Sequence, residues 1–407
     1  MASDLTSFLS KVQTGSDDKK RRDLIVSKDQ QLMDCVKELY IREGFSSLET
    51  SSLLNESNIH RYTSADIINV ILDFRGVEES EQCSKVTQMV TLLDTSITVI
   101  VLSDIDSISL QNQIYHLGAE YVLWDEALHN LTITIASHID KSNTRRQSIR
   151  SAKRVLVIGT KGGVGVSCFS SVLANILAVK ARLKVMLVEH DSHAISSDAY
   201  LGLKQFKAKQ NPGNLALLDI DAAVAESYLY KVQDKLDYVA LDSRLVSLQE
   251  HTELLYRLSH ELSVNYNFVI DSVPVSSFES LKLQEHLDRY HRIYLICEPS
   301  VASLRALNAV VRTLAGSNFQ TVFNLTRPEK DYLMTTNSAQ KRVKDTSGIR
   351  FIYDSGLEKQ LFQQGISSIS NRQYFSPFTA IVKDLTGKDI RSKVTFSLFN
   401  KLSPFKK

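Results

Sequence analysis

Short apolar runs alternate with longer amphipathic stretches along most of the chain. In the first 140 residues, four runs have strand-like composition: 23–27, 67–73, 98–103 and 121–124. Between these runs, segments such as 30–42 and 111–117 place apolar side chains at the helical period. The alternation predicts a small parallel sheet covered by helices on both faces.

A second series of the same kind follows a polar, basic stretch at 141–150 that has no apolar period. Its strand-like runs are 155–160, 184–189, 238–241, 268–271, 292–297, 321–324 and 349–353. Helical patterns such as 248–262 and 301–314 lie between them. The sequence therefore predicts two α/β domains. The expected parts are a polar arm at 1–22, a first domain at 23–140, a basic linker at 141–153, a second domain at 154–390 and a basic tail at 391–407.

Composition narrows the class of protein. The 407 residues are 43% hydrophobic and 23% charged, and the net charge of +2 excludes a molecule that binds polyanions over its whole surface. The four cysteines are far apart and form no C-x-x-C pair, which argues against zinc and against a disulfide framework. The chain has no apolar run of membrane-spanning length and no signal-peptide core at its polar N-terminus. We expect a cytoplasmic protein.

The clearest chemical motif joins the strand 155–158 to the helical stretch 170–182. It is the glycine loop, Gly159-Thr-Lys-Gly-Gly-Val-Gly-Val-Ser167. Glycines permit a tight turn whose backbone N–H groups face a phosphate, and the following helix presents its positive end to the same anion. The hydroxyl of Ser167 stands where it can coordinate Mg²⁺. The alternative is a tight strand-to-helix turn that binds no ligand.

The segment Lys161-Gly-Gly-Val-Gly-Val-Ser167 resembles the deviant Walker A box, K-G-G-x-G-K-[ST], of the MinD/ParA ATPases. The resemblance implies a P-loop NTPase domain with a mainly parallel sheet, which binds ATP and Mg²⁺ and forms a dimer around nucleotide. Lys161 matches the signature lysine, which reaches the partner's phosphates. The nucleotide contacts implied are Gly159, Lys161, Gly162, Gly163, Val164, Gly165, Val166, Ser167 and Cys168.

Val166 departs from this pattern, since it stands where the family has its P-loop lysine. A charged hydrogen bond to the β- and γ-phosphates is worth about 1.5–3 kcal/mol, or about one to two decades in affinity. Backbone N–H groups, Mg²⁺ and Lys161 remain available for binding. We therefore expect nucleotide binding with weak or slow hydrolysis.

Acidic residues end two of the predicted strands. Glu189 and Asp191 follow the run 184–189, and Asp271 ends the run 268–271. Carboxylates at the carboxyl ends of strands in an open α/β sheet face the crevice where ligands bind. By resemblance, Asp191 orients the attacking water, and Ser167, Glu189 and Asp271 hold Mg²⁺. The alternative for Glu189 and Asp191 is a solvated acidic loop.

Three further features bear on the second domain. Asn324 resembles the family's adenine-contacting residue. The alternative is an asparagine that forms a turn at the end of its strand. His190 falls on the strand face opposite its acidic neighbours, which argues against a shared metal ion, so we interpret it as a surface or packing histidine. The stretch Glu298-Pro-Ser-Val-Ala-Ser-Leu-Arg305 resembles a segment of the TadZ/CpaE branch of the family.

The first domain resembles a response-regulator receiver, which has a flavodoxin-like fold. Asp73 ends the third predicted strand, where receivers carry their phospho-accepting aspartate, and Ser103 matches the switch hydroxyl. Ser27 and Lys28 replace the acidic pair that binds Mg²⁺, and the lysine of the fifth strand is missing near Trp124. Phosphoryl transfer would lack charge compensation. We expect an atypical receiver-like domain that serves for docking or dimerisation.

A receiver-like domain ahead of a MinD-like domain is the arrangement of the TadZ/CpaE proteins, which localise Flp (tight-adherence) pilus assembly. The resemblance implies a homodimer through the ATPase domains with receiver-like contacts, assembly proteins as partners, placement at a cell pole and no specific nucleic acid. Three alternatives stay open: a ParA-like partitioning ATPase on DNA, a nucleotide-independent scaffold, and a dinucleotide-binding oxidoreductase with Glu189 on a ribose hydroxyl.

The last 17 residues, 391–407, carry five basic and no acidic side chains. Val394, Leu398, Phe399 and Leu402 fall on one helical face. Such a helix can lie on an anionic inner-membrane surface. The alternative is a final helix packed on the second domain.

Overall fold

The computed structural model describes eleven stretches of the chain: 22–45, 47–54, 59–62, 66–141, 151–210, 220–242, 246–278, 287–314, 317–344, 348–366 and 372–390. Predictions for 1–21, for the central part of the linker at 142–150 and for the tail at 391–407 lie outside the described residues. Contacts divide the chain into two units. The first comprises Met1–Lys153, Leu215–Tyr228 and Tyr256–Val269, and the second comprises Arg154–Asn214, Leu229–Leu255 and Ile270–Lys407.

The first unit contains a five-stranded parallel sheet in the order β2-β1-β3-β4-β5. This is the flavodoxin-like doubly wound order, in which ligands bind beyond the carboxyl ends of β1 and β3. The elements up to residue 141 are β1 (Arg22–Val26), α1 (Gln30–Glu43), β2 (Leu48–Ser51), β3 (Ile67–Asp73), α2 (Glu79–Leu92), β4 (Thr98–Ser103), α3 (Ile108–His116), β5 (Glu120–Leu123) and α4 (His129–Lys141).

Local signals explain these elements. Asp29 caps α1 by accepting hydrogen bonds from the N–H groups of Gln31 and Leu32, and Gly44 ends that helix in the left-handed conformation. Five residues of β4 in a row are buried, as expected for an inner strand covered on both faces. The predicted small parallel sheet is therefore present, with one strand more than predicted, Leu48–Ser51.

From Lys153 onward the chain forms a nine-stranded sheet. Its order is β14-β13-β12-β6-β11-β7-β10-β8, and β9 pairs with β10 in the antiparallel sense. Its strands are β6 (Lys153–Gly159), β7 (Val185–Glu189), β8 (Lys209–Gln210), β9 (Tyr230–Gln233), β10 (Leu236–Asp242), β11 (Phe268–Val273), β12 (Tyr290–Cys297), β13 (Phe319–Asn324) and β14 (Ile349–Phe351). The α-helices described after Lys153 in the chain are α5 (Val166–Val179), α6 (Ser197–Tyr200), α7 (Ala222–Ser227), α8 (Leu248–Leu262), α9 (Val275–Phe278), α10 (Val301–Thr313), α11 (Thr336–Val343), α12 (Leu357–Gln364) and α13 (Arg372–Thr386).

Strand β6 occupies the centre of this sheet, between β12 and β11. The chain places β7 and β10 on the β11 side of β6, and then continues with β12, β13 and β14 on the other side. The carboxyl end of β6 is thus a topological switch point, where open α/β sheets bind ligands. The predicted α/β class with mainly parallel sheets is confirmed.

Helix α5, which follows β6, is held firmly in the core. Ten consecutive residues of α5, from Phe169 to Ala178, are buried. The ring of Phe169 packs against those of Tyr294, Phe351 and Phe378. Because the helix is apolar on nearly all sides, the position of its N-terminus is set by packing. Among the residues that the structure describes, no helix is both long and apolar enough to cross a bilayer.

Candidate functional site

The glycine loop connects the end of β6 to the start of α5. Gly163 and Gly165 have φ angles of +76° and +92°, which side-chain-bearing residues rarely adopt. A Cβ atom at Gly162 or Gly163 would meet nothing within 4 Å, whereas one at Gly165 would lie 2.5 Å from Nδ2 of Asn324. The loop is therefore open on its outer side and closely packed at Gly165.

The N-terminus of α5 has no side-chain cap. Gly165 is its N-cap residue, and glycine has no side chain that could accept a hydrogen bond from the first N–H groups. The first N–H groups of a helix have no partner within the helix, and they carry its partial positive charge. A 14-residue helix that starts without a side-chain cap behind an open glycine loop is suited to hold an anion.

The side chains that flank the loop add little charge. Val166 folds back over Gly159, where a Cβ atom would lie 2.6 Å from its Cγ2 atom. The hydroxyl of Thr160 is buried and lies 2.6 Å from Oγ of Ser303. Lys161 is the one cationic side chain in the sequence 159–167. Positive charge at the loop therefore comes from backbone N–H groups and Lys161.

Lys161 forms an ion pair within its own chain. Its Nζ atom lies 3.1 Å from Oε1 of Glu298, the residue that follows β12. Glu298 is 3% exposed, and its carboxylate accepts hydrogen bonds from Thr326 (2.8 Å) and Tyr332 (3.1 Å). Burial alone would raise the pKa of Glu298, but hydrogen bonds from Thr326, Ser300 and Lys161 outweigh burial and lower it. The action of Lys161 across a dimer stays a prediction.

The structure brings together two members of the predicted Mg²⁺ set. The hydroxyl of Ser167 donates to Oε1 of Glu189 at 3.2 Å. Glu189 also accepts from the hydroxyl of Tyr238 and from the N–H groups of Ser196 (3.2 Å) and Ser197 (3.1 Å). Burial raises the pKa of Glu189 despite these donors. Mg²⁺ would have to replace some of them to bind this carboxylate.

Asp191 lies farther along the same loop. Its Oδ1 atom accepts from the N–H groups of His193 (3.0 Å) and Ala194 (2.8 Å), so the side chain closes a local turn. The side chain is partly exposed. Its predicted role in orienting water stays a prediction.

The third member of the set, Asp271, is engaged elsewhere. Asp271 is 0% exposed, and its two oxygens accept from Nη2 of Arg154 at 3.0 and 2.7 Å. Nε of Arg154 also donates at 3.1 Å, and Nε2 of His190 lies 2.9 Å from Oδ1. Burial opposes ionisation, but the charge of Arg154 and the contact with His190 lower the pKa of Asp271 to about 2. A guanidinium thus neutralises the carboxylate that the sequence assigned to Mg²⁺.

His190 is buried, so of the two interpretations, a surface or a packing histidine, the second applies, and its side chain pairs with Asp271. Within the described stretches, no group of three or more His, Cys, Asp or Glu side chains is arranged to hold a metal ion. Any bound Mg²⁺ would therefore depend on ligands from the nucleotide and from water as well as from the protein.

Asn324 and Cys168 complete the predicted nucleotide contacts. Nδ2 of Asn324 donates to the carbonyl of Val164 at 2.8 Å, so this side chain braces the glycine loop. Sγ of Cys168 lies 3.7 Å from the hydroxyl of Tyr374, and burial raises the pKa of this thiol to about 11. Contacts of Asn324 with adenine and of Cys168 with phosphate stay predictions.

Sequence reasoning missed the partners of these groups. Arg154 had a visible signal, because it is a charged residue beside the otherwise apolar run 155–158. Glu298 was noticed only as part of a motif, and its contact with Lys161 had no local signal. The same holds for Tyr238, which lies inside an ordinary apolar strand.

The first unit has a second cluster of charges at the carboxyl ends of β1 and β3. The Arg75 guanidinium donates to Asp73 from Nε (2.9 Å) and Nη2 (3.1 Å), and to Asp29 at 2.9 Å. The hydroxyl of Ser27 donates to Asp73 at 2.6 Å, and Arg75 lies over the ring of Trp124 at 5.3 Å. The cation beside Asp73 is therefore an internal arginine.

Ser103, the predicted switch hydroxyl, is also fixed by neighbours. It is fully buried and accepts from Nε2 of Gln82 at 3.0 Å and from the N–H of Ile105 at 3.3 Å. Gln82 in turn donates to the carbonyl of Val77 at 2.7 Å. This network holds the start of α2 against the end of β4.

The fold and the site define an α/β protein with a flavodoxin-like strand order in its first unit and, in its second, an open glycine loop that leads into a helix with a glycine N-cap. No protein-family model matches the chain, and no curated protein matches it.

Among solved structures, a ParA family ATPase from Chlorobium tepidum is 18% identical with a TM-score of 0.45, and the match covers 56% of this chain and 96% of that one. MinD with Mg-ADP from Pyrococcus horikoshii is 17% identical with a TM-score of 0.45, covering 58% and 98%. A plasmid partition protein from Borrelia burgdorferi, bound to AMPPNP, is 16% identical with a TM-score of 0.44, covering 57% and 97%.

Proposed function

We propose that the second unit binds ATP with Mg²⁺ and that the protein works as a nucleotide-dependent dimer. The observation that carries this proposal is the N-terminus of α5, which has no side-chain cap and follows an open glycine loop. The contact between Ser167 and Glu189 supports it, because that pair offers oxygen ligands next to the loop. Lys161 is the one cationic side chain in the sequence 159–167, so it is the side chain of the loop that would contact phosphate.

Hydrolysis is slow in this proposal. Val166 supplies no charge to the β- and γ-phosphates, and Asp271 is already neutralised by Arg154. Phosphoryl transfer depends on cations placed around the transferred group. A site with few available cations is better suited to a binding switch, in which ATP favours the dimer and slow hydrolysis resets it.

We assign the protein to assembly of a Flp-type pilus or secretion system, where it would act as a localisation factor at a cell pole. Support comes from the E-P-S stretch at 298–300 and from a first unit with the flavodoxin-like strand order ahead of the glycine-loop unit. We interpret that first unit as receiver-like. The pairing of Arg75 with Asp73 supports a docking role over phosphorylation, because an internal cation already balances the acid.

Isothermal titration calorimetry with ATP, ADP and NAD in the presence of Mg²⁺ tests the nucleotide proposal, with sedimentation velocity as the measure of dimers. We expect ATP to bind and to increase the dimer fraction, and Lys161→Ala to reduce that increase. Binding of NAD alone would favour an oxidoreductase. If no nucleotide binds, the protein is a nucleotide-independent scaffold.

A ParA-like partitioning ATPase is the second candidate function, carried by the resemblance of the segment 161–167. It predicts ATP-dependent retention on nonspecific DNA that weakens steeply with salt. The near-neutral net charge of +2 counts against it. If the protein shows no salt-sensitive retention on DNA and deletion of its gene abolishes pili, the pilus role is supported and partitioning is refuted.

Deletion of 391–407 tests a membrane role for the tail. Loss of co-sedimentation with anionic liposomes in the truncated protein would support a membrane-surface helix. Unchanged co-sedimentation would remove that role and leave the packed helix as the interpretation of this segment.

A further inference from the structure

We infer that Glu298 is a positioning residue that holds Lys161 against its own chain and releases it when nucleotide binds. This inference rests on the proposed function, since it concerns the same site. It assigns a role to the ion pair between Nζ of Lys161 and Oε1 of Glu298, which are 3.1 Å apart. We name this ion pair the lysine latch.

The position of Glu298 follows from pairing between β12 and β6. Ile296 is in register with Gly159, and the N–H of Thr160 donates to the carbonyl of Ile296 at 2.9 Å. Two residues beyond Ile296, the chain therefore reaches the level of the glycine loop. This arrangement places a carboxylate beside the first cation of the loop.

One serine ties the latch to the loop. Oγ of Ser303 accepts from the N–H of Glu298 at 3.0 Å and lies 2.6 Å from the hydroxyl of Thr160. Ser300 caps α10 by accepting from the N–H of Ser303. The E-P-S-x-x-S part of the motif thus fixes both the backbone of Glu298 and the residue that precedes Lys161.

The two partners of the latch differ in mobility. Glu298 is buried and retains hydrogen bonds from Thr326 and Tyr332 when the lysine leaves. The side chain of Lys161 is 37% exposed, and its second contact is a long one of 3.5 Å to the carbonyl of Gly162. Lysine is also a flexible point charge. Lys161 is therefore the group that moves.

A phosphate group competes with Glu298 for the same ammonium. Because Lys161 is the one cation in the sequence 159–167, the latch cancels the side-chain charge of the loop when nucleotide is absent. Nucleotide must break the ion pair before Lys161 can contact phosphate, so the latch lowers affinity. It also disfavours a dimer in which Lys161 serves the partner chain, unless nucleotide is present.

The test measures ATP·Mg²⁺ affinity and dimer fraction for the full chain with Glu298→Gln. Glutamine keeps the size of the side chain and can still accept from Thr326 and Tyr332, but it loses the charge. We expect roughly 2- to 5-fold tighter binding, the size of a partly screened ion pair. Glu261→Gln, an exposed glutamate in the last turn of α8, is the matched control and should change nothing.

The Lys161→Ala background shows whether Glu298 acts through the lysine. If the latch is correct, Glu298→Gln gives no further gain in that background. A gain of the same size in both backgrounds would mean that Glu298 acts by repelling phosphate directly, and would overturn the inference.

A second readout needs no nucleotide. The rate at which an amine-acylating reagent modifies Lys161, followed by peptide mass spectrometry, should rise several-fold in Glu298→Gln. Glu298→Asp keeps the charge but has a shorter side chain, so it should also raise the acylation rate of Lys161. This variant replaces Glu298→Gln in the experiment if the glutamine variant does not fold.

The ATP affinity and the acylation rate of Lys161 together distinguish failure of the lysine latch from failure of the proposed nucleotide binding. Faster acylation without any ATP binding would leave the latch in place and refute the proposed function. ATP binding with unchanged affinity and unchanged acylation would refute the latch and leave the proposed function standing.

Discussion

Restoring a lysine at position 166 tests the central argument about the glycine loop. Val166 is the first residue of α5, and its Cγ2 atom occupies the space above Gly159. Its side chain starts beside the backbone N–H groups that would hold phosphate. A lysine there would add an unbranched cation next to those groups, where none stands now.

The expected gain is that of one charge-assisted hydrogen bond. Such bonds contribute about 1.5–3 kcal/mol, which corresponds to roughly 10- to 100-fold tighter ATP binding. The substitution also removes the contact of the Cγ2 methyl with Gly159. Val166 is only partly buried, so the lost methyl lowers folding stability by no more than about 0.8 kcal/mol. This cost affects the free and bound states alike.

Calorimetric titration with ATP·Mg²⁺ measures the gain in Val166→Lys, and Val166→Met is the matched control. Methionine has similar length and no branching but carries no charge, so it should bind ATP as weakly as the wild type. If both variants bind equally well, relief of crowding explains the gain and not charge. If neither differs from the wild type, the phosphate does not lie beside position 166 and the proposed binding mode is wrong.

Three further substitutions follow from the contacts. Arg154→Met should destabilise the protein by about 3–5 kcal/mol in urea unfolding, because it leaves Asp271 buried without its cation. Since the pKa of Asp271 falls from 3.8 to about 2 on folding, its stabilising effect is complete above about pH 4 and is lost as the pH falls through about 2. The loss of unfolding free energy at low pH should therefore be smaller in Arg154→Met than in the wild type. An unchanged pH profile would contradict the role of Arg154 in lowering the pKa of Asp271. Tyr238→Phe should lower the unfolding free energy by about 1–3 kcal/mol through the lost donor to buried Glu189. Arg75→Met should destabilise the first unit. Neither the wild type nor this variant should take up phosphate from acetyl phosphate. Uptake by the wild type would refute the docking role.

The parts of the fold that could be predicted are those with strong local signals. The predicted runs 67–73 and 98–103 coincide with β3 and β4, and the helical pattern 248–262 coincides with α8. Both strands have a run of buried residues and end at a polar residue, Asp73 in β3 and Ser103 in β4. Strand Leu48–Ser51 was missed because its four residues are all partly buried, so no alternation of buried and exposed positions appears.

The same contrast applies to the candidate site. The glycine loop is a contiguous motif, and its conformation follows from residue types that need no distant partner. The neutralising partners are distant in sequence. Arg154 and Asp271 are 117 residues apart, and no local pattern joins them. Periodicity and spacing reveal which groups could bind a ligand, but the folded chain decides which of them are already bound to each other.

Three charged residues that the family resemblance places in binding sites already form ion pairs within the chain. Asp73 pairs with Arg75, Asp271 with Arg154 and Lys161 with Glu298. A ligand that needs one of these groups must first replace its partner, so the free energy of the pair is subtracted from that of binding.

The pairs differ in how easily a ligand can do so. The pair of Arg154 with Asp271 is 5% and 0% exposed, and separating it would leave a buried charge at a cost of about 3–5 kcal/mol. Lys161 is exposed enough to exchange one anion for another at little cost. Nucleotide can therefore recruit Lys161 while Asp271 stays paired, which is the physical reason to expect binding to persist where hydrolysis is slow.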